Sequence, residues 1–379
     1  MLRIGLIGTG GIAQSHIEAY LEFPDLCQIV ALSDIAPDKA AGLKQRYDLS
    51  EAVVVDDHRQ LADLGLDLVS VCTPPSTHAP VTIDCLDAGI NVLCEKPMAP
   101  SLEECDAMLE AEARSGRTLS IVAQNRFRDD MTTLKQAVDS GLIGPISLMK
   151  VDSNWWRGRS YYDLWWRGTW ASEGGGCTLN HAVHHIDLAL WLMGRPGAVT
   201  AVMTNAQHDN SEVEDLSLAI WTYDRALAEI TSSVVCHGEE QSIVIHGRDA
   251  RVSQPWRAVA DAAQPNGFRA DGGNPELVAK LDALAAAHQP LAHTGHAGQI
   301  GDVLAAILDH RRPAIDGHDG RNTIEAISAI YQSAIEHQTV PLPLDRDDPY
   351  YRAGHLTLVA PHFFDKENSV TDQEGTISL

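Results

Sequence analysis

The first 120 residues alternate short apolar runs with amphipathic stretches, and this alternation restricts the fold more than any other feature of the chain. Six apolar runs have the length and composition of buried strands: 2–7, 28–33, 52–55, 68–72, 91–94 and 118–122. The stretches between them are typical of helices: 12–23, 37–47, 58–62, 78–88 and 101–114. Strands that alternate with helices at this spacing predict a parallel, doubly wound α/β sheet.

A glycine-rich turn of sequence GTGGIA joins the first predicted strand to the first helix. Gly8 permits the tight turn, Gly10 lets the backbone approach a pyrophosphate, and the small Ala13 allows close packing of helix on strand. The start of the helix then offers free N–H groups to the phosphates. In this context the motif predicts a dinucleotide-binding Rossmann domain, the alternative being a plain βα turn. Its phosphate contacts would come from Gly8, Gly10, Gly11 and Ile12.

Asp34 ends the second predicted strand at the interval expected for a ribose-binding acid. A carboxylate there accepts hydrogen bonds from both ribose hydroxyls of NAD and repels the 2′-phosphate of NADP. The next residue is Ile35, where a phosphate-binding site would favour an arginine nearby. The sequence therefore favours NAD over NADP; the alternative is that Asp34 only caps the following helix.

The pattern changes after residue 122. Strands with more regular alternation are predicted at 146–155, 198–204, 216–223, 226–235 and 241–247, and helices at 180–193, 298–310 and 321–337. These features predict a C-terminal α+β domain whose sheet is open and mostly antiparallel. We therefore divide the chain into a Rossmann domain at 1–122, a substrate-binding and oligomerisation domain at 123–364, and a loose polar tail at 365–379.

The acidic charge balance restricts the partners of this chain. Its 379 residues include 28 Lys and Arg against 52 Asp and Glu, a formal net charge of −24. Such a surface repels phosphate backbones and anionic lipids, so we expect neither nucleic acid nor membrane partners. No apolar run has the length of a membrane span or of a secretory signal, which favours a cytoplasmic location. The seven scattered cysteines contain no C-x-x-C pair.

Several further motifs occur in a fixed order. Cys72 begins CTPPSTH after the fourth strand, Glu95 begins EKP after the fifth, and Gly174 begins a triple glycine that leads into N-x-x-x-H-x-x-D at 180–187. Together with the glycine turn, they resemble the Gfo/Idh/MocA oxidoreductase family over nearly the whole chain. The resemblance implies a Rossmann domain followed by an α/β domain whose open sheet often forms the oligomer contact, as a homodimer or homotetramer.

The resemblance also implies roles for individual residues. Lys96 would lie beside the nicotinamide and the reacting carbinol, where its ammonium stabilises a developing alkoxide, and its bond to Pro97 could be cis. His184 would be the acid-base partner. Further cofactor contacts are expected from Thr73, Pro74, His78, Glu95, Lys96, Asn125, Trp166 and Arg167. Substrate contacts are expected from Lys96, Arg126, Trp156, Tyr162, Asn180, His184 and His296.

The predicted helix at 180–193 aligns a polar stripe of Asn180, His184, Asp187 and Trp191 that can face a cleft. Many dehydrogenases of the family carry Asp where this chain has Asn180. An amide cannot hold a proton, which puts a Lys-Asp-His relay in doubt. His181 and His185 are spaced to bind a metal, but no third ligand is apparent, so we expect no metal site.

The segment 154–170 holds five of the eight tryptophans, together with tyrosines and arginines. Aromatic faces stack on sugar C–H surfaces and arginine heads bind hydroxyls, which favours a carbohydrate or cyclitol pocket. The alternative is that most of these rings pack the second sheet. The second half has no clear cluster of basic residues, which mildly favours a neutral substrate.

These features predict an NAD-dependent dehydrogenase that reversibly oxidises a secondary ring hydroxyl of a sugar, glycoside or inositol to a ketone. Two alternatives remain open. The same fold hosts glycosidases that retain NAD and oxidise the substrate only transiently, and the family also includes a regulator without catalysis. The presence of Lys96 and His184 and the absence of a DNA-binding helical motif disfavour the regulator.

Overall fold

The N-terminal half forms a six-stranded parallel sheet in the computed structural model, which describes residues 1–371. The strand order is β3-β2-β1-β4-β5-β6, and every neighbouring pair is parallel. The strands are β1 (Leu2–Ile7), β2 (Cys27–Ser33), β3 (Val53–Val55), β4 (Leu68–Val71), β5 (Asn91–Cys94) and β6 (Leu119–Ile121). The covering helices are α1 (Gly11–Leu21), α2 (Pro37–Arg46), α3 (His78–Asp87) and α4 (Leu102–Ser115). The order reverses between β1 and β4, the place where doubly wound sheets bind ligands.

The second half is built on an eight-stranded sheet in the order β13-β12-β11-β7-β10-β9-β8-β14. Only β7 and β10 pair in parallel; the other pairs are antiparallel. Its strands are β7 (Ile146–Asn154), β8 (Ala198–Thr204), β9 (Leu216–Thr222), β10 (Leu227–Ser233), β11 (Gln241–Gly247), β12 (Arg251–Gln254), β13 (Arg257–Val259) and β14 (Val340–Pro341). The predicted fold class is thus confirmed for both halves.

The helices of the second half are α5 (Asp129–Asp139), α6 (Trp170–Glu173), α7 (Cys177–Asn180), α8 (Val183–Met193), α9 (Pro275–Ala286), α10 (Gly295–Leu308), α11 (Gly317–Glu336) and α12 (His355–Val359). Short 3₁₀ turns lie at His58–Leu64, Pro75–Thr77, Gln124–Phe127, Arg159–Asp163 and Pro349–Tyr351. The sequence interpretation missed α5 and α9. Both bury few residues: α5 buries Met131, Leu134 and Ala137, and α9 buries Leu281.

Helices from the second half also cover the first sheet. Ile300 and Leu304 of α10 belong to the same buried cluster as the apolar residues of β1, β2 and α1. A Cβ at Gly301 would lie 2.7 Å from the ring of Phe23, and one at Gly320 of α11 would lie 2.6 Å from Ile121. The boundary predicted at 122/123 therefore marks a change of sheet rather than a separation of cores.

The outer face of the second sheet carries several exposed apolar side chains and is uncovered in this single chain. The side chains of β8 and β9 alternate strictly, with Ala201, Ala219 and Trp221 buried against the helices on the inner face. Large apolar side chains project outward at Val202, Leu218, Ile220 and Leu227, each between 43% and 58% exposed. Within residues 1–371, no helix has both the length and the apolar character needed to cross a membrane.

Candidate active site

The turn between β1 and α1 has the shape of a phosphate cradle. Gly8 has φ +86°, and a Cβ there would lie 2.7 Å from the carbonyl oxygen of Cys72 at the end of β4. A Cβ at Gly10 would meet nothing within 4 Å, so space is open above the turn. Gly10 precedes α1 without any side-chain cap. The first N–H groups of α1 therefore face open space, and this fits a pyrophosphate.

Asp34 lies at the end of β2 and is bonded to the same turn. Its Oδ2 accepts hydrogen bonds from the backbone N–H of Thr9 at 2.7 Å and from the Thr9 hydroxyl at 2.6 Å, and its Oδ1 accepts from Ala36 N–H. The carboxylate is thereby held beside the cradle, where the ribose of a dinucleotide would lie. Its predicted role in choosing NAD stays a prediction.

The Glu-Lys-Pro motif follows β5 at the same edge of the sheet. The Lys96–Pro97 peptide is cis, as the resemblance implied. The Lys96 ammonium lies 3.4 Å from the main-chain oxygen of Asn180. The backbone N–H of Lys96 donates a hydrogen bond to Glu95 Oε2. Burial lowers the pKa of Lys96; the charge of Glu95 opposes this shift, and the charge of Arg167 adds to it. Lys96 is thus held at the junction of the two halves of the chain.

Glu95 is buried at the end of a hydrogen-bonded chain. Tyr20 OH lies 2.8 Å from Ser70 Oγ, which lies 3.0 Å from His16 Nδ1, and His16 Nε2 lies 2.9 Å from Glu95 Oε1. His296 Nε2 is 3.5 Å from the same oxygen. Although burial raises the pKa of the Glu95 carboxyl, the two histidines outweigh it and hold the pKa well below its usual value.

His16, Glu95 and His296 also bring three potential metal-ligand atoms within 4.8 Å of one another. The hydrogen bond from His16 to Glu95 already joins two of these groups, and the further bond to Ser70 satisfies the other His16 nitrogen. The cluster is therefore explained without a cation. The expectation of no metal stays a prediction.

Lys96 and His184 line one small, mostly apolar cavity between the two halves. Its walls come from the end of β6, from α8 and from α11, and include Ala123, Val183 and Thr323. Burial lowers the pKa of His184 well below its usual value, and the charge of Lys96 lowers it further. His184 is thus neutral at neutral pH and can accept a proton.

The predicted continuous helix at 180–193 is wrong, because the chain breaks between α7 and α8 at His181 and Ala182. The amide of Asn180 is turned back onto the triple glycine, where Nδ2 donates to Gly175 O at 2.9 Å. Asp187 lines the same cavity as His184, but its carboxylate is buried and paired with Arg126 at 2.6 Å. Asn180, His184 and Asp187 therefore do not form the single polar stripe that the sequence predicted, because Asn180 lies on α7 and the other two lie on α8.

The triple glycine is required by close packing around buried Glu214. A Cβ at Gly175 would lie 2.3 Å from Tyr331 OH, and one at Gly176 would lie 1.9 Å from Glu214 O. The Glu214 carboxylate accepts hydrogen bonds from the N–H groups of Gly176 and Thr178 at 3.0 Å, and from Tyr331 OH. Glu214 thereby holds the start of α7 and positions Asn180.

The aromatic segment places Arg167 against two rings. Its guanidinium carbon lies 4.1 Å from the ring centroid of Tyr161 and 4.2 Å from that of Trp166. Arg167 also hydrogen-bonds with Tyr161 OH and lies 3.3 Å from buried Glu173. Arg167 therefore packs on Trp166, and the contact of both residues with a cofactor stays a prediction.

Four of the predicted ligand contacts have other roles in the structure. Arg126 is buried and paired with Asp187 at 2.6 Å and with Asp319 at 3.1 Å, so its charge joins the 3₁₀ turn after β6 to α8 and α11. Tyr162 is a core residue, 1% exposed, packed edge-on against Tyr161 and His208.

The other two have visible partners as well. His78 is buried, with its ring nitrogens 2.8 Å from Pro97 O and 2.7 Å from Thr73 O, so it holds the Thr73-Pro74 loop against the Lys96–Pro97 turn. Trp156 lies on the surface, where it stacks on His237. Asn125 is half-buried in the 3₁₀ turn after β6, and its cofactor contact stays a prediction.

Residues 361–370 are bound to the aromatic segment, so the expected loose tail is wrong for its first six positions. Val370 N–H donates to Asp163 O at 2.8 Å, and Trp165 N–H donates to Val370 O at 2.9 Å. Lys366 contacts the carbonyl oxygens of Tyr162 and Leu164. The rest of the predicted tail, 372–379, lies outside the described residues.

Some residues of the site escaped the sequence interpretation. His16 follows the glycine motif by three residues, but only the fold brings it to Glu95. Tyr161 and Glu173 were not singled out, and His181 was considered only as a metal ligand. Glu214 had no recognisable signal, since it lies in an acidic stretch with Glu212 and Asp215 that resembles a surface segment.

Two family profiles match this chain in consecutive blocks. Residues 2–123 match the oxidoreductase family profile GFO_IDH_MocA, described as an NAD-binding Rossmann fold. Residues 131–253 match the GFO/IDH/MocA C-terminal domain. The two matches cover more than half of the chain, and their boundary falls between β6 and β7.

Relatives and solved structures agree with these profiles. The myo-inositol 2-dehydrogenase of Thermotoga maritima is 28% identical over 257 residues, 66% of this chain and 74% of the relative. The scyllo-inositol 2-dehydrogenase (NADP(+)) IolW of Bacillus subtilis is 25% identical over 354 residues, 90% and 96% of the two chains.

Among solved structures, the WlbA dehydrogenase from Bordetella pertussis in complex with NADH and UDP-GlcNAcA is 27% identical, with a TM-score of 0.77. The match covers 91% of this chain and 98% of that one. Because both profiles match in the order in which the fold presents the two sheets, this chain belongs to the Gfo/Idh/MocA family of oxidoreductases and carries its NAD-binding Rossmann domain.

Proposed function

We propose that this protein is an NAD-dependent dehydrogenase that reversibly oxidises a secondary ring hydroxyl of a sugar, glycoside or inositol to a ketone. The observation that carries the proposal is the shared cavity of Lys96 and His184, which lies at the carboxyl ends of β5 and β6, the same edge of the Rossmann sheet that carries the glycine cradle. The inositol dehydrogenases among the relatives support the class of substrate.

The cradle at Gly8, Gly10, Gly11 and Ile12 would hold the pyrophosphate, and Asp34 would hold the adenosine ribose. When bound, NAD⁺ supplies a hydride acceptor at C4 of its nicotinamide. Thr73 and Pro74 lie on the loop next to the cradle, because the carbonyl of Cys72 contacts the Gly8 turn. They are the proposed neighbours of the nicotinamide half.

Lys96 and His184 divide the remaining chemistry between them. The reacting hydroxyl loses its proton to a ring nitrogen of neutral His184 while the carbinol carbon loses its hydride. The Lys96 ammonium donates a hydrogen bond to the same oxygen and stabilises its growing negative charge. Lys96 contacts the main-chain oxygen of Asn180, so this contact does not require a carboxylate side chain at position 180.

A panel of inositols, polyols and glycosides with NAD and with NADP tests this function. The expected result is stoichiometric formation of NADH with at least one compound, followed by absorbance at 340 nm. Cleavage of a glycoside without net NADH would instead assign the glycosidase alternative. Binding of NAD without turnover of any compound would reject the dehydrogenase.

We expect Asp34→Asn to weaken NADH binding by about tenfold and to strengthen NADPH binding by a similar factor. The substitution removes the charge that repels a 2′-phosphate but keeps one oxygen acceptor for the Thr9 turn. Fluorescence titration with both reduced cofactors measures the two dissociation constants.

Asp38→Asn is the matched control, because Asp38 is an exposed acid in the first turn of α2 and undergoes the same change of charge. Its ratio of NADH to NADPH affinity should equal that of the parent protein. An unchanged ratio in Asp34→Asn would remove Asp34 from cofactor selection.

We also propose that two copies associate through the outer face of the second sheet, as a homodimer or as half of a homotetramer. The exposed apolar side chains lie on neighbouring strands. Val202 of β8 is directly opposite Leu218 of β9. Ile220, two residues further along β9, is flanked by Thr200 of β8 and Glu229 of β10. Contiguous apolar patches on a sheet face are typical of protein interfaces.

Ile220→Glu is expected to weaken this association at least about 100-fold, because it removes an apolar side chain from the proposed interface and adds a second carboxylate beside Glu229. Sedimentation velocity over a range of concentrations measures the change. Leu358→Glu is the control, since Leu358 is 82% exposed on α12, away from the sheet. A parent protein that sediments as a monomer throughout would contradict the proposal.

A further inference from the structure

Five hydrogen-bond donors, Lys96, Arg157, Tyr161, Arg167 and His181, lie together beside the proposed catalytic pair; we call them the donor cluster. The guanidinium carbons of Arg157 and Arg167 lie 5.7 Å and 4.1 Å from the ring centroid of Tyr161. The rings of Tyr161 and His181 are 5.5 Å apart. Lys96 joins them through the carbonyl that immediately precedes His181.

Hydrogen bonding within the cluster determines which nitrogen of His181 carries the proton. Arg167 can only donate, so its N–H is given to the oxygen of Tyr161. The single proton of Tyr161 is then donated to His181 Nε2, 3.2 Å away. Burial lowers the pKa of His181 well below its usual value, and the charges of Arg167, Arg157 and Lys96 lower it further, so the ring is neutral. Since this pairing uses Nε2 as the acceptor, we place the proton of neutral His181 on Nδ1.

That N–H has no partner in the part of the chain that the structure describes. His181 is 8% exposed, and its buried Nδ1 makes no hydrogen bond with any described residue. An unpaired buried donor destabilises a fold unless a ligand completes it. His181 Nδ1 is thus a ready donor toward a ligand oxygen.

The two arginines also keep unused donors. Both hydrogen bonds of Arg157, to Trp156 O and to Glu239, involve Nη1. Both hydrogen bonds of Arg167, to Tyr161 and to Glu173, likewise involve its Nη1. Among residues 1–371, each guanidinium therefore keeps Nε and Nη2 without a hydrogen-bond partner, and these two nitrogens form the paired edge that binds a carboxylate.

The acidic partners of the cluster are already engaged. Glu173 accepts from Arg167 and from Gly168 N–H at 2.6 Å, and Glu239 accepts from Arg157 and from Trp156 N–H. Burial raises the pKa of Glu173 to about 7 against the opposing charge of Arg167, so near neutral pH its carboxylate offsets that charge only in part. The charge of Glu95 likewise faces Lys96, so the cluster is distinguished by its hydrogen-bond donors rather than by a large positive charge.

A neutral sugar hydroxyl both donates and accepts, whereas an anionic oxygen group only accepts. We propose that the substrate carries an anionic oxygen group next to the reacting ring, bound by His181 Nδ1–H and the free guanidinium edges of Arg157 and Arg167. This inference rests on the proposed function and replaces the neutral substrate favoured by the sequence. A carboxylate and a phosphate would both satisfy these donors.

Binding to the NADH-loaded protein tests the inference without requiring turnover. Calorimetric titration compares D-glucuronate with D-glucose, D-galacturonate with D-galactose, and UDP-glucuronate with UDP-glucose, and adds glucose 6-phosphate as the phosphate arm. At least one acid should bind about 30-fold more tightly than its neutral partner. Tighter binding of glucose 6-phosphate than of any uronate would identify a phosphate as the anionic group.

Arg157→Gln should reduce the ratio of acid to neutral affinity by about tenfold or more, because it removes a charged donor from the cluster. Arg159→Gln is the matched control; Arg159 is an exposed arginine two residues away whose carboxylate neighbour, Asp209, is 3.7 Å distant. It should leave the ratio unchanged. Equal binding of acids and neutral partners, or an unchanged ratio in Arg157→Gln, would overturn the inference.

Turnover of the same compounds with NAD separates this inference from the proposed function. Oxidation of neutral sugars without any preference for acids would keep the dehydrogenase and reject the anionic group. If an acid binds selectively but no NADH forms and no reaction depends on Lys96, the inference of an anionic group would stand and the proposed dehydrogenase function would be rejected.

Discussion

Lys96→Met should lower kcat by about 10³-fold while the dissociation constant of NADH stays within about threefold of the parent value. The methionine keeps most of the buried stem but removes the ammonium that stabilises the developing alkoxide. The glycine cradle and Asp34 are separate from this side chain, so the main contacts of the cofactor remain. Steady-state kinetics on the best substrate of the panel and fluorescence titration with NADH measure the two effects.

Lys39→Met is the control for this substitution, because Lys39 is exposed in the first turn of α2 and loses the same charge. It should match the parent protein in kcat. Full activity of Lys96→Met would exclude the ammonium from the chemistry, and an equal loss of NADH affinity would show that Lys96 acts mainly in cofactor binding.

His184→Gln should lower kcat by about 10²-fold to 10⁴-fold, since glutamine retains a polar side chain but cannot accept the hydroxyl proton. The pH profile gives a second, independent readout. A base must be unprotonated to work, and the pKa of His184 is depressed well below its usual value by burial and Lys96. Oxidation by the parent protein should therefore stay level as the pH falls through 6.5 and decline only below it.

The acidic limb of that profile should disappear in His184→Gln. His318→Gln is the control, because His318 is exposed at the start of α11. It should retain both the parent rate and the parent profile. An acidic limb that persists unchanged in His184→Gln would assign the proton to another group.

Residues whose role depends on backbone conformation could be assigned from the sequence. Gly8 needs a positive φ and a close approach to the next strand, and both requirements are visible as a glycine after an apolar run. Asp34 could be located in the same way, because it ends a predicted strand of the parallel sheet. Glu95 and Lys96 could be placed at the same edge, because they directly follow another predicted strand of the parallel sheet.

Residues whose role depends on their partners could not be assigned. Arg126 and Arg167 look alike along the chain, yet Arg126 is buried with two carboxylates while Arg167 keeps a free edge beside two rings. Tyr161 and Tyr162 are neighbours, but the first belongs to the donor cluster and the second to the core. Even the direction of His181 depends on a helix break that the apolar periodicity does not reveal.

By itself, the sequence determined the two-sheet α/β architecture, the dinucleotide cradle and the candidate catalytic pair Lys96 and His184. The first two follow from local periodicity and from the conformational needs of glycine, whereas the candidate pair was implied by the resemblance to the Gfo/Idh/MocA family. Only the tertiary structure decided which polar side chains are satisfied within the protein and which remain free for a ligand. The reason is physical: a hydrogen bond or ion pair joins residues distant in the chain, so whether a donor such as His181 Nδ1 is left unpaired depends on every element packed around it.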